Sequence, residues 1–259
     1  CHPRPELVLR GGEVVWDHGS YLPRTALYQI PDHLRGSVHL RPVTEADFAV
    51  RVPVPSGFSG GTALVNLMGQ DGTSIRTHWV RKALPLSAEE QGFARLETAP
   101  HLKMAVFNRY GRDQHGIGLL TGMDGVTGAA ALTYGHDCHN LTVYGGNDAD
   151  MALAANTLRD AQGGLCTAEN GKVLTLIPLP LAGLMCGQPP EALLEQMEQF
   201  LADCRRMGFT HQNLLTFFTL MPLAVSPELK CTDRGLVDAL HKRLLPLIEE
   251  IKEISSDGT

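Results

Sequence analysis

The sequence predicts an α+β fold with mixed α/β layers, in which a sheet-rich domain with two main amphipathic helices follows a β-hairpin. Three observations support this prediction. Short apolar runs separated by Gly-, Ser- and Asp-rich turns recur along the chain and are typical of strands. Two longer segments place apolar residues at helical spacing. Strands and helices alternate in the second half, as they do in layered α+β domains.

The predicted hairpin occupies residues 1–20. The stretch "ELVLRGGEVVWDHG" holds two β-rich runs joined by Gly11 and Gly12, which can both take positive φ in a tight turn. Residues 21–43 contain three prolines and show little hydrophobic periodicity, so they are predicted to be a linker. Residues 44–259 are predicted to form the main domain, which begins with a short turn capped by Thr44.

Strands are predicted for six apolar runs of the main domain, and a hairpin is predicted to turn at residues 169–171. The runs are "FAVRVPV", "TALVNLM", "TSIRTHWVRKAL", "KMAVFNRYG", "GVTGAAALTYG" and "NLTVYGG". The first helix, in "NDADMALAANTLRDAQGG", is predicted to begin at the capping residues Asn147 and Asp148 and to end at Gly163. The second, in "PPEALLEQMEQFLADCRRMG", has Pro190 in its first turn and Gly208 after its end.

The C-terminal tail, "GLVDALHKRLLPLIEEIKEISSDGT", also shows helical apolar spacing. It is predicted to be a partly exposed helix with a disordered end.

Composition and charge exclude several classes of protein. Of 259 residues, 43% are hydrophobic and 19% charged, which is typical of a globular chain. The net charge of -6 argues against nucleic-acid binding, and no apolar run is long enough to favour a membrane span. Six cysteines lack CxxC spacing and follow no signal peptide, so free thiols in the cytoplasm are expected. Because the chain opens at Cys1 directly into a hairpin, we expect a further segment upstream.

The densest polar motif is "YGHDCHN", residues 134–140. His136 and His139 could both reach one ion. Asp137 or Cys138 could be a further ligand, or could accept a hydrogen bond from a ligating imidazole. The flanking runs are strand-like, however, and residues three apart in an extended chain point to opposite sides. A metal site, a catalytic cluster and a polar turn between two strands therefore all stay open at this stage.

Other polar segments are weaker candidates. Arg109 follows an apolar strand, and "HWVRK" offers His78, Arg81 and Lys82, but charged residues at strand ends are usually solvated. "GGNDAD" is better explained by helix capping than by anion binding. For "SPELKCTDRGLVD" an ion-paired loop is slightly preferred to a functional role. The GxGxxG, P-loop, GxSxG and HExxH patterns are absent.

Several of these segments together resemble one family. "GHDCHNLTVYGGNDADMALAANTL", "GGLC…NGKVLTLIPLPLAGLM" and "MPLAVSPELKCTDRGLVD" look like the C-terminal domain of bacterial adenine deaminases of the amidohydrolase superfamily, in the same order and over about residues 40–240. Cys138 stands where that family usually has Ser. The hairpin of residues 1–20 resembles the last strands of the small β-sandwich of these enzymes, here truncated.

The resemblance implies the following expectations. The complete enzyme would hydrolyse adenine to hypoxanthine and ammonia in adenine catabolism and purine salvage, as a cytoplasmic homo-oligomer that depends on manganese or iron. Its metal-binding barrel is missing from this chain, which alone should be inactive. The loop of residues 136–140 should face that barrel, with His136, Asp137 and His139 as candidate catalytic residues and Asn140 and Arg109 as candidate substrate contacts. His136 and His139 are the only metal-ligand candidates. The alternative is a non-catalytic, stand-alone binding or assembly module.

Overall fold

The computed structural model describes residues 5–22, 31–70 and 72–253. The chain divides into two compact units, Cys1–Ile30 and Pro31–Thr259. The smaller unit is a three-stranded antiparallel sheet of β1 (Leu7–Arg10), β2 (Glu13–Asp17) and β3 (Ser20–Tyr21). Gly11 and Gly12 both take positive φ at the β1–β2 turn, so the predicted hairpin is confirmed.

The larger unit contains fourteen strands and three α-helices among its described residues. The strands are β4 (Arg51–Pro53), β5 (Gly61–Gly69), β6 (His78–Ala88), β7 (Phe93–Leu96), β8 (Leu102–Phe107), β9 (His115–Thr121), β10 (Ala129–Leu132), β11 (Leu141–Gly145), β12 (Gly164–Glu169), β13 (Lys172–Pro178), β14 (Leu229–Thr232), β15 (Gly235–Asp238), β16 (Arg243–Leu245) and β17 (Ile248–Glu253). The helices are α1 (Asp148–Asp160), α2 (Pro190–Arg206) and α3 (Leu214–Leu220). The predicted sheet-rich α+β class is confirmed.

One eleven-stranded sheet forms the centre of the larger unit. Its order is β13-β12-β10-β11-β8-β9-β5-β6-β7-β4, and β17 also pairs with β5. All of these pairs are antiparallel except β5 with β9. β14, β15 and β16 form a separate three-stranded sheet.

The middle strands of the large sheet are buried on both faces. Alternate side chains point to opposite faces of a strand, so β8, β10, β11 and β12 contribute to two separate cores. One core packs against α1 and contains Ala105, Phe107, Ala131, Val143, Met151, Ala155 and Leu158. The other packs against α2 and α3 and contains Met104, Val106, Leu132, Tyr144, Leu165, Phe200, Phe217 and Phe218.

The two main helices begin and end as their sequences predict. Asn147 caps α1, since its Oδ1 accepts the backbone N–H of Asp150 at 2.8 Å. The carboxylate of Asp150 accepts the N–H groups of Asn170 and Gly171 at the predicted β12–β13 turn. Asn147 and Asp150 therefore satisfy backbone amides, as the capping interpretation expects, whereas the carboxylate of Asp148 pairs with Lys103 and Arg95. α2 has Pro190 in its first turn and ends before Gly208.

Residues 31–43 are part of the larger unit and pack on its core. Val38 and Val43 are buried, and the side-chain amide of Asn156 on α1 exchanges two hydrogen bonds with the backbone of Val43, at 2.9 and 2.7 Å. Residues 23–30 of the predicted linker lie outside the described residues. The division of the chain at residues 20 and 43 stays a prediction.

The C-terminal tail is not helical, so that prediction was wrong. It forms β15, β16 and β17 instead. The carboxylate of Asp238 accepts hydrogen bonds from the backbone N–H and the ring of His241 and from Arg243, which fixes a turn where the helix was expected. Pro246 lacks the N–H that a helix interior needs. The predicted disordered end, residues 254–259, lies outside the described part of the chain.

Asn66 joins the tail to the large sheet. It is fully buried in β5, its Nδ2 donates to the carbonyl of Pro246 at 2.9 Å, and its Oδ1 accepts from the indole N–H of Trp79 at 2.6 Å. Its backbone N–H donates to the carbonyl of Leu247 at 2.9 Å. β17 is therefore attached to the sheet through this one side chain as well as by strand pairing.

Substituting Ala for Asn66 is expected to lower the free energy of unfolding by about 2 kcal/mol, because it removes two partly buried side-chain hydrogen bonds. Hydrogen exchange of the β17 amides should accelerate more than exchange in α1. Denaturant titration and exchange mass spectrometry measure the two effects, with Thr62→Ala on the exposed side of β5 as the control. Unchanged exchange in β17 would contradict the role of Asn66.

Candidate active-site loop

The loop of residues 133–140 connects β10 to β11 in the middle of the large sheet. It therefore lies at the same sheet edge as residues 108–110, which follow β8, since β8 is antiparallel to β11. The backbone N–H of His136 donates to the carbonyl of Thr219, at 2.9 Å, which fastens the loop to α3. Glycine at position 135 fits a close contact, because a Cβ there would lie 3.0 Å from the ring of Pro222.

His136, Asp137 and Cys138 are exposed at the tip of the loop. The side chains of His136 and Asp137 are 56% and 74% exposed, and His136 Nδ1 lies 3.3 Å from Asp137 Oδ1. An imidazole and a carboxylate are thus adjacent and open to the exterior of the chain. Such a pair can donate or accept a proton, or hydrogen-bond a polar ligand.

His139 faces a different environment. Its φ is +50°, a left-handed conformation in which its N–H donates to the carbonyl of Gly135 at 2.8 Å. The ring centroids of His136 and His139 are 6.0 Å apart. The Nδ1 atom of His139 is buried and has no hydrogen-bond partner among the residues that the structure describes. Because a buried ring nitrogen without a partner is unfavourable, this atom is a candidate for an interaction with a group from outside the chain.

Asn140 and Arg109 lie beneath the loop. Asn140 is 5% exposed, and its Oδ1 accepts the backbone N–H of Arg109 at 3.4 Å. Arg109 is 2% exposed, and its Nε donates to the carbonyl of His139. Burial lowers the pKa of the Arg109 guanidinium. In this conformation both predicted substrate contacts are enclosed by protein, and their contact with a ligand stays a prediction.

Asn108 and Tyr110, which sequence analysis did not single out, complete the surroundings of the loop together with Asp233 of the "SPELKCTDRGLVD" segment. The hydroxyl of Tyr110 donates to the carbonyl of Cys138 at 2.6 Å, and the amide of Asn108 donates to the carboxylate of Asp233 at 2.8 Å. A cavity of about 10 Å³, room for about one water, lies between the loop and Asp233. The signal for Asn108 and Tyr110 was available, because they flank Arg109 in "NRYG".

Metal binding by His136 and His139 stays a prediction. Within the described ranges, no group of three or more His, Cys, Asp or Glu side chains is placed to hold a metal ion. Cys138 is also a poor candidate for thiolate chemistry. Burial raises the pKa of its thiol, and the negative charges of Asp233 and Asp137 raise it further. The exposed side chains of His136 and Asp137 are therefore the groups of this loop that can take part in chemistry.

The other polar candidates lie away from the loop or inside the fold. His78, Arg81 and Lys82 are on β6, which is separated from β8 by β9 and β5 in the sheet. In the "SPELK" segment, Lys230 is fully buried, and its Nζ donates to the carbonyl of Ile75 at 2.6 Å rather than to a carboxylate. The expected ion-paired packing is therefore wrong for this lysine.

No helix among the described residues is long and apolar enough to cross a membrane.

Comparison with known proteins identifies the family. Residues 74–243 match the Adenine deaminase C-terminal domain. Similar curated proteins include adenine deaminase of Moorella thermoacetica, 36% identical over 243 residues, which are 93% of this chain and 40% of the relative. Adenine deaminase 2 of Shouchella clausii is 33% identical over 93% of this chain and 41% of the relative.

Adenine deaminase of Methylobacterium nodulans is 39% identical over 212 residues, which are 82% of this chain and 36% of that relative. The chain spans about 40% of the length of the first two of these curated relatives. The family match covers well over half of the chain and includes the whole loop of residues 133–140. The chain therefore belongs to the family of adenine deaminase C-terminal domains.

Proposed function

We propose that this chain acts as the C-terminal domain of an enzyme that hydrolyses adenine to hypoxanthine and ammonia. The catalytic centre would lie in an amidohydrolase barrel outside this chain, and the loop of residues 133–140 would face it. The relatives are named adenine deaminases, and the chain aligns with about 40% of two of them, which supports a role as one part of such an enzyme.

The observation that carries the proposal is an exposed polar tip on a firmly held backbone. The side chains of His136 and Asp137 are open to the exterior. The backbone beneath them is hydrogen-bonded to Thr219, Tyr110 and Arg109. Functional residues are often carried by loops that a rigid scaffold positions, and a loop that contacts a substrate benefits from a fixed position.

The residues would have different roles in this arrangement. His136 and Asp137 would contact the substrate or a group of the barrel, and His139 would offer its unpaired Nδ1 to the same region. Asn140 and Arg109 would support them. The divalent metal, manganese or iron, would be held by residues outside this chain, because the loop lacks a complete set of ligands. We further propose a cytoplasmic homo-oligomer that functions in purine salvage.

A chimera tests this proposal. The C-terminal 40% of the Moorella thermoacetica relative is replaced by this chain, and ammonia release from adenine and metal content are measured for the chimera and for this chain alone. The chain alone should be inactive and the chimera active. The double substitution His136→Ala and His139→Ala should lower kcat/KM by about 10-fold to 100-fold, as loss of groups supporting a catalytic centre does, without changing metal content.

The control substitution is His78→Ala, which removes an exposed histidine on β6 and should leave kcat/KM unchanged. Deamination by the chain alone would contradict a catalytic centre outside it. Full activity of the double variant would mean that the loop has only a structural role, as a turn between two strands. That result would favour the alternative, a binding or assembly module without a part in catalysis.

A further inference from the structure

The guanidinium of Arg109 has an unusual environment for a charged group. It is almost completely buried, and all of its acceptors in the described ranges are neutral oxygens. A buried charge without a counterion is costly, so a fold keeps one where the hydrogen bonds it makes are needed. Those hydrogen bonds therefore indicate what the residue does.

The hydrogen bonds of Arg109 join three distant segments. Nε donates to the carbonyl of His139, Nη2 donates to the carbonyl of Ala182 at 2.9 Å, and Nη1 donates to the hydroxyl of Ser37 at 2.9 Å and to its carbonyl at 3.3 Å. The N–H groups of a guanidinium are fixed in one plane, so they fix the relative positions of their acceptors. A lysine donates all of its hydrogen bonds from one nitrogen, so it cannot reproduce the spacing that the three guanidinium nitrogens give to these acceptors.

The neighbouring residues are matched to this arrangement. A Cβ at Gly183 would lie 2.3 Å from Nη1, so only glycine leaves space for the guanidinium. The guanidinium carbon also lies 5.0 Å from the ring centroid of Tyr110, whose hydroxyl binds the carbonyl of Cys138. Arg109 and Tyr110 thus hold two consecutive carbonyls of the loop, directly after the exposed His136 and Asp137.

We infer that Arg109 is a positioning residue, which locks the loop of residues 135–140 to the turn of residues 181–186 and thereby fixes where His136 and Asp137 point. This assignment differs from a substrate contact, because the guanidinium already makes four hydrogen bonds within the chain. Its consequence for catalysis rests on the proposed function. The link between loop and turn does not, and it can be measured on the chain alone.

Hydrogen exchange of the intact chain tests the link. The reporters are hydrogen-bonded amides in both segments, namely those of His136 and His139 in the loop and of Leu181 and Met185 in the turn. Arg109→Lys keeps the charge and removes the planar fork. It should accelerate exchange about 10-fold or more in both segments, the factor expected for a loss of about 1.4 kcal/mol of local stability, and leave α1 unchanged.

Tyr110→Phe is the matched control, since it removes the hydroxyl that donates to the carbonyl of Cys138 but keeps the ring beside the guanidinium, and it should accelerate exchange in the loop more than in the turn. If Arg109→Lys leaves either segment at its wild-type rate, the inference is overturned. If exchange in α1 accelerates as well, the substitution has destabilised the whole chain. In that case the variant Arg109→Ala tests the inference. Methylguanidinium should then restore slow exchange in both segments while methylammonium does not, and failure of methylguanidinium overturns the inference.

The outcomes for the two proposals are separable. If the double histidine substitution leaves the chimera fully active, the proposed function fails, yet the exchange result for Arg109 is unaffected. If the link fails, the histidines can still act on the substrate. Where both hold, Arg109→Lys in the chimera should lower activity, and methylguanidinium should rescue Arg109→Ala, which would not be expected of general destabilisation.

Discussion

Alanine in place of Gly116 is expected to lower the free energy of unfolding by about 3 kcal/mol, at the upper end of the usual cost of overpacking. Gly116 is buried in β9, directly beneath the β14–β15 hairpin. A Cβ at this position would lie 2.1 Å from the carbonyl oxygen of Thr232 and 2.5 Å from the backbone nitrogen of Gly235. Because both neighbours are backbone atoms, no side-chain rotation can relieve the overlap.

The same substitution should also disturb the candidate site. Residues 232 and 233 line the small cavity beside His136, and Asp233 accepts the hydrogen bond of Asn108. Moving the hairpin away from β9 would therefore lengthen that contact. Exchange mass spectrometry of residues 229–238 and denaturant titration measure the two effects.

Gly171→Ala separates conformational strain from overlap. Gly171 has a φ of +73° and no atoms within 4 Å of an added Cβ, so its cost should be only about 1 kcal/mol. Equal losses for the two alanine variants would contradict the steric argument for Gly116. The steric argument would be supported by a smaller loss in free energy of unfolding for Gly171→Ala than for Gly116→Ala, together with accelerated exchange in β14 and β15 of Gly116→Ala.

The elements that sequence predicted best are those with local signals. α1 has a capping asparagine and α2 a proline in its first turn, each has an apolar stripe and a glycine after its end, and the two hairpins have glycine at their turns. The tail has apolar residues at helical spacing too, but its structure is decided by the open edge of β5, which pairs with β17. This edge of β5 is about 180 residues away in the sequence, so a local sequence pattern cannot predict its pairing with the tail. α3 was missed because seven residues give little periodicity.

For the candidate site, sequence supplied the residue types but not their exposure. His136 and Asp137 at the tip and Arg109 beneath it looked equally available in the sequence, yet their exposure differs widely. Burial of Arg109 depends on Ser37 and Ala182, which lie 72 and 73 residues away. Long-range hydrogen bonds of this kind carry no short-range signature. The family resemblance located the loop, and the structure then divided it into exposed and supporting residues.

Replacement of Lys230 by Met is expected to change stability in a way that depends strongly on pH. Lys230 is fully buried, and burial lowers the pKa of its amine from 10.5 to about 8. Its hydrogen bond goes to the carbonyl of Ile75, at 2.6 Å, and among the described residues no carboxylate offsets the cost of burying the charge. Below pH 8 the folded wild-type chain therefore carries an unfavourable buried cation, which methionine of similar length does not.

The direction of the pH effect follows from proton binding. Between about pH 8 and 10.5 the unfolded chain keeps a proton on Lys230 that the folded chain has released, so this residue makes stability rise with pH in that interval. The full interval corresponds to about 3 kcal/mol. Relative to Lys230→Met, the wild-type chain should thus gain about 3 kcal/mol in free energy of unfolding between pH 7.5 and pH 11.

Only the difference between the two chains is informative, because buried thiols and tyrosines also titrate at alkaline pH. Burial raises the pKa of Cys166 and Tyr134 to about 12, so their ionisation favours the unfolded state, but equally in both chains. Lys172→Met, on the exposed edge of β13, controls for the loss of one positive charge. A stability difference between wild type and Lys230→Met that stays constant with pH would mean that the amine keeps its proton in the folded chain, and that the carbonyl of Ile75 stabilises the cation enough to offset its burial.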